Sequence, residues 1–218
     1  MTHLLMIYVK LLATKDHRSM PFIKVIDPHS ATGRLAKIYS RVSDPGGQVD
    51  HVLQIHSLRP HSLEGHMALY KAALHHPHNK LPLWFLETIG VQVSILNKCS
   101  YCARHHSAGL KRILSGEPGR FEAIAAELKR DKPGPLFSAA ERAALDYVRK
   151  LTKDPGAITS EDIDNMRAAG LKDGEILEIN QVASYFAYAN RTVTGLGVSI
   201  EDEKLGLSPE NDQAWEHR

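Results

Sequence analysis

The chain has 218 residues, 43% of them apolar, and 27 Lys plus Arg against 25 Asp plus Glu with no long run of one sign. That apolar content excludes a disordered chain, and the scattered charge lacks the basic footprint of a nucleic-acid or anionic-membrane binder. Two cysteines are too few for a secreted disulfide scaffold; as a close C-x-x-C pair in an expected cytoplasmic setting they point to redox or metal chemistry.

In chain order, residues 1–19 read as an N-terminal extension ahead of a sharper start at Met20. Its apolar run is interrupted by Lys10 and is too short to span a bilayer, so neither a cleaved signal nor a membrane anchor is expected. Apolar spacing of 3.6 then recurs through most of the chain, and alternation of period 2 is scarce. Leu35, Ile38, Tyr39 and Val42 form one stripe, and Leu63, Met67, Tyr70 and Leu74 a second. Residues 83–96 are apolar almost all round, and Phe121, Ile124, Ala125 and Leu128 form another stripe. Ser138 with Glu141 makes a capping box ahead of Ala144, Tyr147, Val148 and Leu151. Thr159 with Asp162 opens a shorter helix that Gly170 closes, and a long helix over about 174–194 carries Ile176, Ile179, Ala183 and Phe186. The expectation is a single all-α domain of about eight helices over 20–205, followed by a polar tail at 206–218.

The chemistry concentrates near Cys99-Ser-Tyr-Cys-Ala-Arg-His-His106. Glu87 lies in the most apolar helix, where a carboxylate needs a partner or a raised pKa to offset its lost hydration. In one unbroken helix Glu87 and Cys99 would be about 18 Å apart. If the chain instead reverses at Asn97-Lys98, where Asn tolerates turn and cap geometry, Glu87 lies roughly 15 Å back along one helix and His106 roughly 13 Å forward along the next. The two then stand level across a helical hairpin. Cys102 and His106, at i and i+4, share a face of the second helix. A thiolate is favoured near a helix N-terminus or a basic partner, and a histidine backed by a carboxylate is suited to taking a thiol proton.

The spacing E-x11-C-x-Y-C-x3-H, formed by Glu87, Cys99, Tyr101, Cys102 and His106, resembles the active-site signature of AhpD-like alkyl hydroperoxidases in the carboxymuconolactone decarboxylase superfamily. MPFI at 20–23, SLRP at 57–60, VSILNKCSYC at 93–102 and YFAYANRTVTGLGV at 185–198 extend the resemblance to the peroxidase-related subgroup over about residues 20–203. The resemblance implies an all-helical, oligomeric, cytoplasmic peroxide reductase with no bound haem, flavin or metal. It implies Cys102 as the attacking thiol, Cys99 as the resolving thiol, and His106 with Glu87 as the proton relay. Hydrogen peroxide or small organic hydroperoxides would be the substrates, and an external thiol donor, lipoylated in some family members, the reductant. Tyr101 stands where the best-characterised members carry histidine. In thioredoxin-like C-x-x-C pairs the first cysteine is the more activated, so the two analogies assign the sulfurs in opposite order.

Other readings stay open at this level. The same disulfide can serve a redox sensor or a partner-binding protein, and the decarboxylase branch of the superfamily lacks the cysteine pair. Cys99, Cys102 and His105 or His106 supply three zinc ligands without an evident fourth. Tyr101, His105 and Asn190 are auxiliary candidates, Tyr101 packing at the hairpin end and Asn190 lying on the last long helix. His75, His76 and His78 read as a solvated turn. Helices apolar on more than one side fit a homo-oligomer.

Overall fold

The computed structural model describes residues 21–44, 46–130, 132–200, 203, 205 and 206. The expected extension at 1–19 and all of the expected tail beyond Gly206 lie outside the described residues. Among those described there are nine α-helices and no strand. They are α1 (Gly33–Val42), α2 (His51–Gln54), α3 (Pro60–Tyr70), α4 (Leu83–Leu96), α5 (Ser100–Ile113), α6 (Arg120–Glu127), α7 (Ala139–Lys153), α8 (Ser160–Ala168) and α9 (Asp173–Leu196). The all-α class expected from the periodicity is the class observed. The four-residue α2 is too short to leave a periodic signal.

Helix α4 is the axis of the molecule. Every residue from Phe85 to Ile95 is buried, because α5, α7 and α9 all pack against it. Gly90 is what lets α9 come so close: a Cβ there would stand 2.2 Å from the ring of the fully buried Phe186. A glycine costs about 1 kcal/mol relative to alanine inside a helix; here the close approach of an aromatic ring accounts for it. The main core fills the space between α4, α7 and α9 with Leu86, Ile89, Leu145, Ile179 and Phe186 among others. A smaller cluster at the N-terminal end joins Leu35, Ile38 and Tyr39 of the first sequence stripe to Leu63 of the second.

The capping boxes form as read: Ser138 and Glu141 satisfy each other's backbone N–H groups ahead of α7, and Thr159 and Asp162 do so ahead of α8. The second stripe ends differently from a plain helix. After Tyr70 the chain widens into a π-helical turn, Lys71–His75, that carries Leu74 into the core and His75 toward Tyr70. Helix α9 stops at Gly197, whose left-handed backbone (φ 69°) turns the chain so that Val198 and Ile200 pack beside the start of α5.

Candidate active site

Between α4 and α5 the chain reverses through two hydrogen bonds: Lys98 N–H to the Ile95 carbonyl (3.1 Å) and Cys99 N–H to the Ser94 carbonyl (2.9 Å). This is the Schellman pattern that closes a helix, and it requires one left-handed residue, usually glycine. That residue is Lys98 (φ 59°), the one non-glycine residue with positive φ among those described. Asn97, expected from its side chain to take turn or cap geometry, is the C-cap of α4; it keeps helical backbone and donates its amide to Asn190 Oδ1 (3.0 Å). Asn190 is itself buried and donates to Ser94 Oγ (3.1 Å), and Ser94 donates to the Gly90 carbonyl (2.8 Å). The hairpin bend is therefore clamped from α9 by one amide side chain.

Cys99 is the N-cap of α5, accepting the Cys102 N–H on its sulfur at 3.4 Å. The helix-start geometry brings the two Sγ atoms to 2.9 Å, reduced but near the ~2.05 Å of a bond. Both cysteines are buried. They are unequal in acidity. The hydrogen bond from Cys102 lowers the Cys99 thiol against the opposing effect of burial, helped by the Cys102 N–H, the Thr194 hydroxyl and the His106 charge. Burial pushes the Cys102 thiol well above its ordinary range, the hydrogen bond and charge of Cys99 add to that, and a hydrogen bond from Asn190 works against it. Either sulfur has the reach to donate across the contact, but the helix N-terminus faces Cys99, so the negative charge of the pair settles there.

The hairpin also places Glu87 level with His106, as the turn at Asn97-Lys98 requires. Glu87 is completely buried, and its Oε2 lies 2.7 Å from His106 Nδ1. Its other oxygen, Oε1, is buried without a hydrogen-bond partner. The His106 ring stands edge-on to Phe186 with centroids 4.5 Å apart. Close by is Tyr185, whose phenol is raised by burial and then by Tyr70, Cys102 and Glu87. His75, expected in a solvated turn, is half-buried beside this pair: burial lowers it while the Glu87 charge opposes that, and its Nε2 lies 2.8 Å from the Tyr70 hydroxyl.

Tyr101 and His105 turn away from the dithiol. The Tyr101 hydroxyl donates to Glu203 Oε1 (2.8 Å) and accepts the Val52 N–H (3.1 Å), and its ring stacks on His105 at 4.5 Å. Glu203 Oε1 also accepts the His51 N–H (2.8 Å), while Oε2 lies 3.4 Å from His105 Nε2 and 3.3 Å from His51 Nδ1. Asp50 completes this second cluster. Its carboxyl is pushed up to about 6 by burial and then by the Glu203 charge. Glu203 has no signal in the sequence, because it lies in a non-helical stretch 98 positions beyond His105. Thr194 was missed too, although it sits inside the TVTGLG run.

Among the described residues, no group of three or more His, Cys, Asp or Glu side chains is arranged to hold a metal ion, and no helix is long and apolar enough to cross a membrane.

The sequence matches no family model and no curated protein significantly. Solved structures do match the fold. An alkylhydroperoxidase AhpD core, an uncharacterized peroxidase-related protein from Ralstonia eutropha JMP134, superimposes with a TM-score of 0.68 at 24% identity, covering 84% of this chain and 93% of that one. An uncharacterized peroxidase-related protein from Silicibacter sp. TM1040 gives 0.64 at 25% identity over 82% and 88%. The chain has the AhpD-like fold. The same fold also carries the debrominase Bmp8, similar at a TM-score of 0.64 and 18% identity over 84% of this chain and 92% of that one. Fold alone therefore does not decide the reaction. The hairpin of this chain carries a dithiol at the start of α5 and a carboxylate–imidazole pair one helical turn further on.

Proposed function

We propose that this protein is a cysteine-dependent peroxidase that reduces hydrogen peroxide or small organic hydroperoxides and is regenerated by an external thiol. The observation that supports this best is the dithiol at 2.9 Å beside a buried Glu87–His106 pair at 2.7 Å. In this reading His106 takes the Cys102 proton as the peroxide arrives. A thiol kept neutral by burial needs such a base, and Glu87 holds the imidazole and stabilises its charged form. The Cys102 sulfur attacks the terminal peroxide oxygen, the O–O bond breaks, and the alkoxide leaves as an alcohol, or as water from hydrogen peroxide, after protonation. Cys102 is then a sulfenic acid. Cys99, the more acidic thiol, attacks that sulfur as a thiolate and expels water, leaving the disulfide. Two equivalents of thiol return the pair to its reduced form, so the cycle balances without a bound cofactor. A reducing compartment such as the cytoplasm would supply that thiol, and we expect a homo-oligomer whose contacts cover exposed apolar side chains such as Leu58 and Tyr188.

Stopped-flow oxidation of the reduced protein by hydrogen peroxide and by tert-butyl hydroperoxide tests this. The expected rate exceeds that of a free thiol at the same pH, with a sulfenic acid trapped in Cys99→Ser and absent from Cys102→Ser. A wild-type rate no faster than free thiol for both peroxides would sink the peroxidase reading and leave a redox switch using the same disulfide.

A further inference from the structure

The two sulfurs differ in what reaches them from outside. A cavity of about 220 Å³ is lined by Lys98, Cys99, Ser100, Thr194 and Val198 among others, and Cys102 is not part of its wall. Lys98 and Thr194 are exposed at its mouth, whereas Cys99 is buried at its inner end. Thr194 shares that wall with Cys99 and is one of the influences that lower its thiol. Cys102 is buried too, 4% exposed against 1% for Cys99, but has no part in the cavity's lining. The cation at the mouth is held by the left-handed turn itself, at a position where glycine would relieve the backbone.

We propose that Cys99 is the sulfur at which the regenerating thiol attacks the Cys99–Cys102 disulfide, and that Lys98 and Thr194 favour a thiol with a negative charge beside it. This rests on the reading of the pair as a redox-active dithiol. The incoming thiolate enters through the cavity and bonds to Cys99 Sγ. The S–S bond breaks, and its electron pair goes to Cys102 Sγ, which takes a proton from the His106 imidazolium one helical turn away. A second thiolate attacks the donor's sulfur in the mixed disulfide, forming the donor disulfide and releasing Cys99 as a thiolate. That thiolate is received by the Cys102 N–H and the N-terminus of α5, with Thr194 beside it in the cavity wall. Leaving-group acidity alone would favour attack on Cys102, which expels the more acidic Cys99. Access reverses that preference. The partner class is thus a small or flexibly tethered thiol with a nearby carboxylate or phosphate.

Single-cysteine variants test the assignment without peroxide. Cys102→Ser leaves Cys99 free and should react with the anionic disulfide 5,5′-dithiobis(2-nitrobenzoate) at least ~10-fold faster than Cys99→Ser, as expected for a cavity-lining, lower-pKa thiol. Equal rates, or a faster Cys99→Ser, would overturn it. In the Cys102→Ser background, Lys98→Glu should slow the anionic probe roughly 10-fold at low ionic strength and leave neutral 2,2′-dithiodipyridine within about twofold. Equal slowing of both probes would remove charge selection. Lys98→Gly suits the left-handed turn and should slow the anionic probe alone by a smaller factor, which separates lost charge from a damaged fold. Thr194→Val should shift the thiolate absorbance profile of Cys99 to higher pH, and an unmoved profile counts against Thr194. If Cys99 dominates exchange while neither peroxide oxidises the protein, the peroxidase reading falls and this assignment stands.

Discussion

His105 and His106 are neighbours on α5, yet each turns to a different buried carboxylate, and the surroundings of the two acids differ. Glu203 is crowded: one oxygen accepts from Tyr101 and from the His51 N–H, and the other, buried without a hydrogen bond, lies 3.3 and 3.4 Å from two imidazole nitrogens. Glu87 has a single donor, His106, and an open buried oxygen. A carboxylate surrounded by donors holds elements together. Here it ties α2, the first turn of α5 and the chain after α9 to one point. A carboxylate whose one partner is an imidazole is suited to letting a proton move. In the proposed mechanism the two pairs on this helix thus serve as an anchor and a relay, according to how many donors surround the acid.

The comparison breaks most directly at the acids themselves. Glu87→Gln should slow dithiol oxidation by hydrogen peroxide about 10²-fold, the lower end of what general base catalysis supplies, whereas Glu203→Gln should lower thermal stability and leave the oxidation rate within about threefold. Equal kinetic losses in the two variants would collapse the distinction.

A pH-resolved test addresses Asp50, whose carboxyl is pushed up to about 6 against an ordinary 3.8. Between those values the folded protein keeps a proton that the unfolded chain has lost. The stability this provides is complete below pH 3.8 and is lost as pH rises through about 6. Asp50→Asn, which mimics the protonated acid, should therefore be the more stable form at pH 7.5 by up to roughly 2–3 kcal/mol. Its advantage should vanish near pH 4. Thermal denaturation of both proteins across that range measures it, and a gap independent of pH would take Asp50 out of the anchor cluster.

The smallest effect is expected at Tyr101. Tyr101→Phe removes the hydroxyl that joins Val52 to Glu203 and should cost about 1 kcal/mol of stability in denaturant titration. Peroxide oxidation should stay within about twofold of wild type. A large kinetic loss would move Tyr101 from the anchor to the relay.

Much of this was legible in the sequence because it is local. The stripe at Leu35 to Val42, the Ser138–Glu141 box and the all-round apolar 83–96 segment each depend on residues within a turn or two of one another, and each became the helix expected. The hairpin was legible for the same reason: one reversal near residue 97 leaves little choice about where Glu87 and His106 meet. The identity of the left-handed residue was not. The reversal was read at Asn97-Lys98 without a choice between the two; Asn97 is the C-cap, its amide bonded to Asn190, and Lys98 takes the left-handed backbone. The π-helical turn that brings His75 to Tyr70 was equally hidden, since apolar spacing runs through it unbroken.

By itself the sequence determined the helices, the bend and the pairing of dithiol with carboxylate and histidine, because those follow from periodicity and rise along one hairpin. Only the tertiary structure decided that His105 belongs to Glu203, that Gly90 admits Phe186, and that the cavity opens on Cys99 and not Cys102. These depend on where α9 and the segment after it pack, and contacts between residues about a hundred positions apart leave no local pattern to read.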